Sequence, residues 1–416
     1  MINIIMRSAG DEELVRVLLI DVNFKNSSTG KIVYDLYDSL NRKGHTVAVC
    51  YGRGPIADEP GVYKFSSNLE VYAHAFLTRV TGLTGNYSYF ATKKLIRFME
   101  EFKPDVVHIH ELHAYFVNYA PVINYLKEKN IKTVWTFHCE FMYTGKCGYA
   151  YDCDKWKTEC GKCPRLKEYP SSMYFDFTRK MFNEKKKLFE GFDNLSIVTP
   201  SKWLADRVKA SFLKDKDVHV VHNGIDTEKV FYPRTYKHLK KKHNITDEKI
   251  VLAVAPDLMS SRKGGRWVLE LAEKIKNTKI KFILIGVKDL SESFGENIIA
   301  LGKTNNQNEL AEYYSMADVF IICSERENFP TTCIEAISCG TPVIGFDEGG
   351  TKETAPDGYG VFVPYGDINQ LESKLITALA DNTYFKSINE CAEYGFNNYS
   401  KLVMCEKYSK IYHGNY

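Results

Sequence analysis

The chain has 416 residues, 44% of them hydrophobic and 26% charged, with a formal net charge of +3. That length suits two domains with sizeable cores, and so small a charge leaves no electrostatic footprint for nucleic acid. Eleven cysteines without a signal-peptide pattern point to a reducing, cytoplasmic setting rather than a disulfide scaffold, and no apolar run approaches the ~18–20 residues that cross a bilayer.

In chain order, residues 1–13 read as a tail. Residues 14–21 form a short, apolar, β-branched run of the kind buried in a parallel sheet. A polar loop at 26–30 leads into a predicted helix over 31–43, and 44–51 returns as the second strand. Further strands are predicted at 103–110, 132–137, 195–199 and 218–222, giving a first domain over 14–228 with a cysteine-rich insertion at 143–169. Proline and charge clustering mark 229–248 as a linker. A second series of strands, at 249–255, 280–286, 317–323, 342–346 and 360–364, defines a domain over 249–386, and a final helical segment occupies 387–416. Strands alternating with helices predict an α/β protein with two parallel sheets, each covered by helices.

Several stretches carry candidate chemistry. The loop Asn26-Ser-Ser-Thr-Gly30 is either a plain turn with a hydroxyl cap or a phosphate loop, since glycine admits close backbone approach and the following helix offers free amides. Residues 71–102 mix aromatic and basic side chains, among them Tyr72, Phe76, Phe90, Lys93, Lys94 and Arg97. They read as a core-facing helix with a solvated basic side, or as a surface that meets a membrane. His138 follows the strand 132–137, where ligands of open α/β sheets bind; packing between Phe137 and Cys139 is the other reading. His108, His110 and His113 are weaker candidates for the same cleft. Cys147, Cys153, Cys160 and Cys163 fall within seventeen residues, the last two as C-x-x-C. They suit a closed, structural zinc site, with an iron–sulfur cluster or four reduced thiols as alternatives.

In the second half, Arg262-Lys263-Gly264 places two cations before a helix N-terminus, which is unfavourable unless an anion such as a pyrophosphate sits there. Glu327 and Glu335 flank Asn328-Phe329-Pro330-Thr331 in a predicted strand–loop–helix unit, with Glu335 about two turns into the helix. Ionised carboxylates accept paired hydrogen bonds from vicinal hydroxyls, as on a ribose or hexose. On a helix, the same spacing also describes a solvated face.

Taken in order, with Thr199-Pro-Ser-Lys-Trp203 and Val221-His-Asn-Gly-Ile-Asp226 between them, these motifs resemble the retaining glycosyltransferases of family 4. That family has the GT-B fold, two facing Rossmann-like domains, and the resemblance runs from Val15 to the last helix. It implies a nucleotide-sugar donor, UDP first and GDP next, and a saccharide or lipid-linked saccharide acceptor in surface-polysaccharide synthesis. It further implies no catalytic metal and a C-terminal helix crossing back to the first domain; peripheral contact with the inner face of the membrane would rest on the second reading of residues 71–102. Glu327 and His138 would meet the donor sugar and Glu335 the ribose. Lys263 and Arg262, with Gly30, would meet the diphosphate, and Asn328, Phe329, Pro330 and Thr331 would line the donor site.

The chain departs from the family pattern at Ala255-Pro256, where many relatives carry glycine–arginine, and at His138-Cys139-Glu140, where His-Asp is common. Two rivals share the architecture: a sugar-nucleotide isomerase of the 2-epimerase type, which needs no acceptor, and a degenerate nucleotide-binding protein, which turns nothing over.

Overall fold

A computed structural model describes residues 13–415 except 292 and 305. Apart from Glu13, the predicted tail lies outside the described residues.

The strands are β1 (Arg16–Asp21), β2 (Thr46–Tyr51), β3 (Val62–Lys64), β4 (Val106–Ile109), β5 (Lys132–Thr136), β6 (Leu195–Thr199) and β7 (Asp217–Val220), then β8 (Lys249–Val254), β9 (Ile280–Ile285), β10 (Ile298–Leu301), β11 (Val319–Ile322), β12 (Val343–Phe346) and β13 (Gly360–Val363). They form a seven-stranded sheet in the order β3-β2-β1-β4-β5-β6-β7 and a six-stranded sheet in the order β10-β9-β8-β11-β12-β13. The central pairings of each are parallel, with Leu18 opposite Ala48 and Val107, and Leu252 opposite Ile283 and Phe320. The predicted α/β class with two parallel, helix-covered sheets is therefore present. The strands β3 and β10 were not foreseen: β3 has only three residues, and the apolar run of β10 is four residues long and half-buried.

The helices are α1 (Ser27–Arg42), α2 (Asn68–Thr81), α3 (Tyr89–Phe102), α4 (Tyr119–Glu128), α5 (Thr178–Phe189), α6 (Lys202–Lys209), α7 (Lys237–Lys242), α8 (Gly265–Lys274), α9 (Gln307–Met316), α10 (Thr331–Ser338), α11 (Ile368–Ala380), α12 (Ile388–Tyr399) and α13 (Lys401–Tyr412). The single final helix expected from sequence is thus two, separated by an extended Ser400. A capping box at Ser387 and Glu390 starts the first of them. The predicted linker contains a helix of its own, α7.

Contacts divide the chain into two compact units, one comprising residues up to 136 with 159–197 and 405 onward, the other 137–158 with 198–404. In the first unit, His108 on β4 is held by hydroxyls from the chain's end and from β5, namely Tyr412 at 2.7 Å and Thr136 at 2.8 Å. In the second, β8 alternates strictly. Ile250 and Leu252 pack into the cluster under α10 and α12, and Val251 and Ala253 into the cluster under α8 and α11. Both faces of the strand are apolar because both are covered.

Candidate functional site

Strand order reverses between β1 and β4 in the first sheet and between β8 and β11 in the second. Beyond the carboxyl ends of such a strand pair the loops part in opposite directions and leave a crevice, the usual ligand site of open α/β sheets. The predicted residues of the second half fall at this position. Arg262 and Lys263 follow β8, and Glu327 follows β11.

Glycine makes the approach of these two loops attainable. Gly264 has φ +70°, and a Cβ there would lie 1.9 Å from the carbonyl oxygen of Cys323. The backbone of Glu325 also donates to the carbonyl of Arg262 at 2.8 Å. Glu327, 7% exposed, accepts from Lys263 Nζ at 2.5 Å and from Arg262 Nη1 at 3.2 Å. Burial raises the pKa of its carboxyl, but the charges of Lys263 and Arg262 outweigh that and hold it below the ordinary carboxylate value. The behaviour of Arg262 has the same origin: burial disfavours its charge, and Glu327 restores it. A buried carboxylate between two cations is a site already arranged for charge, and removal of either sign leaves the other uncompensated.

Helix α10 begins at Thr331 with Pro330 as its N-cap, and no side chain caps its first amides. Glu335 is therefore the fifth residue of the helix, just over one turn in, rather than about two turns. It is 9% exposed and accepts from the buried hydroxyl of Tyr314 at 3.0 Å, so the solvated-face reading does not hold. Asn328 is a bridge: its Oδ1 accepts from Ser201 Oγ at 2.5 Å and its Nδ2 donates to the carbonyl of His138 at 3.1 Å. Phe329 stacks on the ring of His222, centroids 4.6 Å apart and nearly parallel, and its carbonyl accepts from Asn223 Nδ2 at 3.3 Å. The phrases at 199–203 and 221–226 thus serve to hold the loop that carries Glu327. The carboxylate of Glu140, two residues after His138, has partners of its own. It is fully buried, accepts from Arg207 Nε at 2.6 Å, Ala150 N at 2.7 Å and Tyr143 Oη at 3.0 Å, and fastens its own loop.

Gly30 lies in the other unit, inside the first turn of α1, which starts four residues earlier than predicted. Its amide donates to Ser27 Oγ at 3.2 Å. Sequence reading passed over Asp21, at the end of β1. Its Oδ2 accepts from Thr29 Oγ1 at 3.1 Å and Asn23 N at 3.2 Å, while its Oδ1 is buried with no hydrogen-bond partner among the described residues. Burial, followed by the charge of Glu111, pushes the Asp21 carboxyl up to about 7. Glu111 itself meets His113 Nε2 at 2.6 Å. Four residues around this first crevice, Lys25, Ser27, Ala114 and Tyr115, adopt left-handed backbone conformations without being glycine.

The four predicted metal-ligand cysteines are all half-buried. Cys147 and Cys153 belong to the second unit, and Cys160 and Cys163 to the first.

Comparison with known proteins places the chain among sugar-transferring enzymes. A model described as glycosyltransferase family 4 matches residues 29–229, and one described as glycosyl transferases group 1 matches residues 236–398. An Escherichia coli (strain K12) relative named as a colanic acid biosynthesis glycosyl transferase, WcaC, is 25% identical over 417 residues, 96% of this chain and 99% of that one. The N-acetyl-alpha-D-glucosaminyl L-malate synthase of Bacillus anthracis is 26% identical over 54% of this chain and 61% of its own. Among solved structures, sucrose-phosphate synthase from Thermosynechococcus elongatus superposes with a TM-score of 0.70 at 19% identity, covering 96% of this chain and 98% of that one. Anabaena HepE, solved with UDP-glucose, gives 0.64 at 13% identity, covering 96% and 100%.

Proposed function

We propose a particular reaction for this chain, which belongs to the family 4 glycosyltransferases and has their GT-B fold: transfer of a sugar from a nucleoside diphosphate, UDP before GDP, to a hydroxyl of a saccharide or lipid-linked saccharide, with retention at the anomeric carbon and without a catalytic metal. The observation that carries it is the buried cluster of Lys263, Arg262 and Glu327 at the switch point of the second sheet. When a diphosphate arrives, Lys263 turns from Glu327 to its oxygens, while Arg262 keeps Nη1 on Glu327 and offers its other donors to the diphosphate, and the carboxylate faces the sugar hydroxyls together with His138. Glu335 takes the ribose, and Asn328, Phe329, Pro330 and Thr331 shape the loop over the nucleotide. As the C1–O bond to the diphosphate breaks, Lys263 and Arg262 stabilise the charge that develops. The leaving phosphate accepts the acceptor's proton while the new bond forms on the same face.

UDP as donor nucleotide is supported by HepE, a protein of the same fold solved with UDP-glucose. A role in surface-polysaccharide assembly draws on the relative named for colanic acid. A lipid-linked acceptor draws on a Campylobacter jejuni relative named as a transferase acting on a diphospho-undecaprenol-linked sugar.

Among the described residues no helix is long and apolar enough to cross a membrane. Contact with an anionic bilayer surface is proposed through one region of the first unit. Leu69, Tyr72 and Phe76 form an exposed stripe on α2, and Tyr89 and Phe90 open α3, where Lys93, Lys94 and Arg97 are also exposed. Glu70 ties the two helices by accepting from Ala91 N at 3.0 Å. Exposed aromatic side chains beside cations suit the headgroup region. A structural zinc on Cys147, Cys153, Cys160 and Cys163 rests on their spacing and is checked by metal analysis of the purified protein.

Incubation with a panel of nucleotide sugars and lipid-linked saccharides tests the reaction. Acceptor-dependent release of one nucleoside diphosphate is expected. Turnover without acceptor would select the isomerase, and binding without turnover the degenerate protein.

A further inference from the structure

The segment 137–158 clusters with the second unit although it lies within the first half of the sequence. Its aromatic side chains alternate with arginines in a chain of contacts that ends at the Glu327 cluster. Trp156 packs edge-on against Tyr143 and lies under the guanidinium of Arg207 at 4.6 Å. Arg207 also sits 5.1 Å from the ring of Trp203, which is shared with Arg326 at 5.8 Å. Arg326 in turn lies 5.8 Å from Tyr151, and Arg262 lies 5.3 Å from Tyr149.

The backbone is shaped to present these two tyrosines. Tyr151 has φ +49°, a left-handed conformation that costs a bulky residue ~1–3 kcal/mol and persists only where its surroundings impose it. They do so here: Ala150 N donates to the buried carboxylate of Glu140, and Cys153 N to the carbonyl of Ala150 at 2.9 Å. The two arginines that receive the rings are in contact with each other's loops. Arg262 Nη1 donates to the carbonyl of Arg326 at 3.2 Å as well as to Glu327. Arg326 pairs with Glu348 at 3.2 Å, and its Nε–H is buried without an acceptor among the described residues.

We propose that Tyr149 and Tyr151 are positioning residues of the donor subsite: their rings hold Arg262 and Arg326 in the orientation that aims Glu327 at the donor sugar. The inference rests on the reading of the Lys263–Glu327 cluster as the donor site. Neither tyrosine is singled out in the sequence, where the insertion reads only as a cysteine-rich segment. A guanidinium over an aromatic face is worth ~0.5–2 kcal/mol, and without it Arg262 retains its charge but not its direction. The face of the ring is what acts, so phenylalanine serves as well as tyrosine.

The test is steady-state transfer by the full chain with Tyr149→Ala, Tyr149→Phe, Tyr151→Ala and Lys263→Ala, with melting temperature measured for each. Both alanine variants should lower kcat/KM for the nucleotide sugar by ~3–30-fold, the kinetic equivalent of that contact, with the loss in kcat, while Tyr149→Phe stays within about twofold and melting temperatures hold. Full activity of both alanine variants beside an impaired Lys263→Ala would overturn the positioning role and leave the donor site standing. A kcat loss that follows melting temperature, and is shared by Tyr149→Phe, would also overturn it. An unimpaired Lys263→Ala would instead remove the donor-site reading on which the inference depends.

Discussion

The two crevices at the two switch points share a scaffold and differ in charge. Beyond β8 and β11, the buried Glu327 is met by Lys263 and Arg262, and its pKa falls. Beyond β1 and β4, the buried Asp21 is met by a second carboxylate, Glu111, and its pKa rises to about 7. Burial pushes both acids the same way, so the neighbouring charge decides which is ionised at neutral pH. A parallel sheet supplies a place for chemistry, and the few side chains on the loops beyond it set the sign.

Four substitutions break or sharpen that contrast, in order of expected effect. Lys263→Ala removes the cation that meets Glu327 and that the proposed reaction turns to the leaving diphosphate. Its kcat should fall ~100–1000-fold, as for loss of one electrostatic stabiliser of a transition state, measured by nucleoside diphosphate release. Asp21→Asn bears on stability. With a carboxyl raised in the folded chain from 3.8 to about 7, the contribution is full below 3.8 and is lost as pH rises through 7. At ~1.4 kcal/mol per pH unit, the parent should lose up to ~4 kcal/mol across that window. Urea unfolding of the asparagine variant should lack that loss.

Glu327→Gln should remove a pH dependence of the opposite sign from the parent. The ordinary value is 4.5 and the folded one lower, so the contribution is present above 4.5 and lost as pH falls through the folded value. The glutamine variant should differ from the parent at neutral pH more than in acid. Ser201→Ala should have the smallest effect. Its hydroxyl caps α6, accepting from Leu204 N at 3.1 Å, and donates to Asn328. The expected cost in urea unfolding is ~1–2 kcal/mol.

The same contrast explains what could be read in the chain. In the second half the tight loops are built with glycine, as at Gly264, where Cys323 leaves no room for a side chain. Such positions leave a mark in the sequence, and Lys263, Glu327 and Glu335 were legible beside them. Around the first crevice, left-handed backbone is also carried by Lys25, Ser27, Ala114 and Tyr115, residue types that advertise nothing. Asp21 read as the end of an apolar strand. The strands β1 and β8 are six residues long and mostly apolar, whereas β3 has three residues and β10 four. The contacts of Tyr149 and Tyr151 join residues more than a hundred positions apart, and no local pattern encodes them.

The measurement that tests the central claim most directly is a thermal-shift comparison of the parent and Glu335→Ala with UDP, GDP, ADP, TDP and CMP. Ligands that bind the folded chain alone raise its melting temperature. The account predicts stabilisation of the parent by one nucleoside diphosphate, UDP first, and its loss in the variant. Equal stabilisation of both proteins, or none of either, would contradict a donor site at the second switch point.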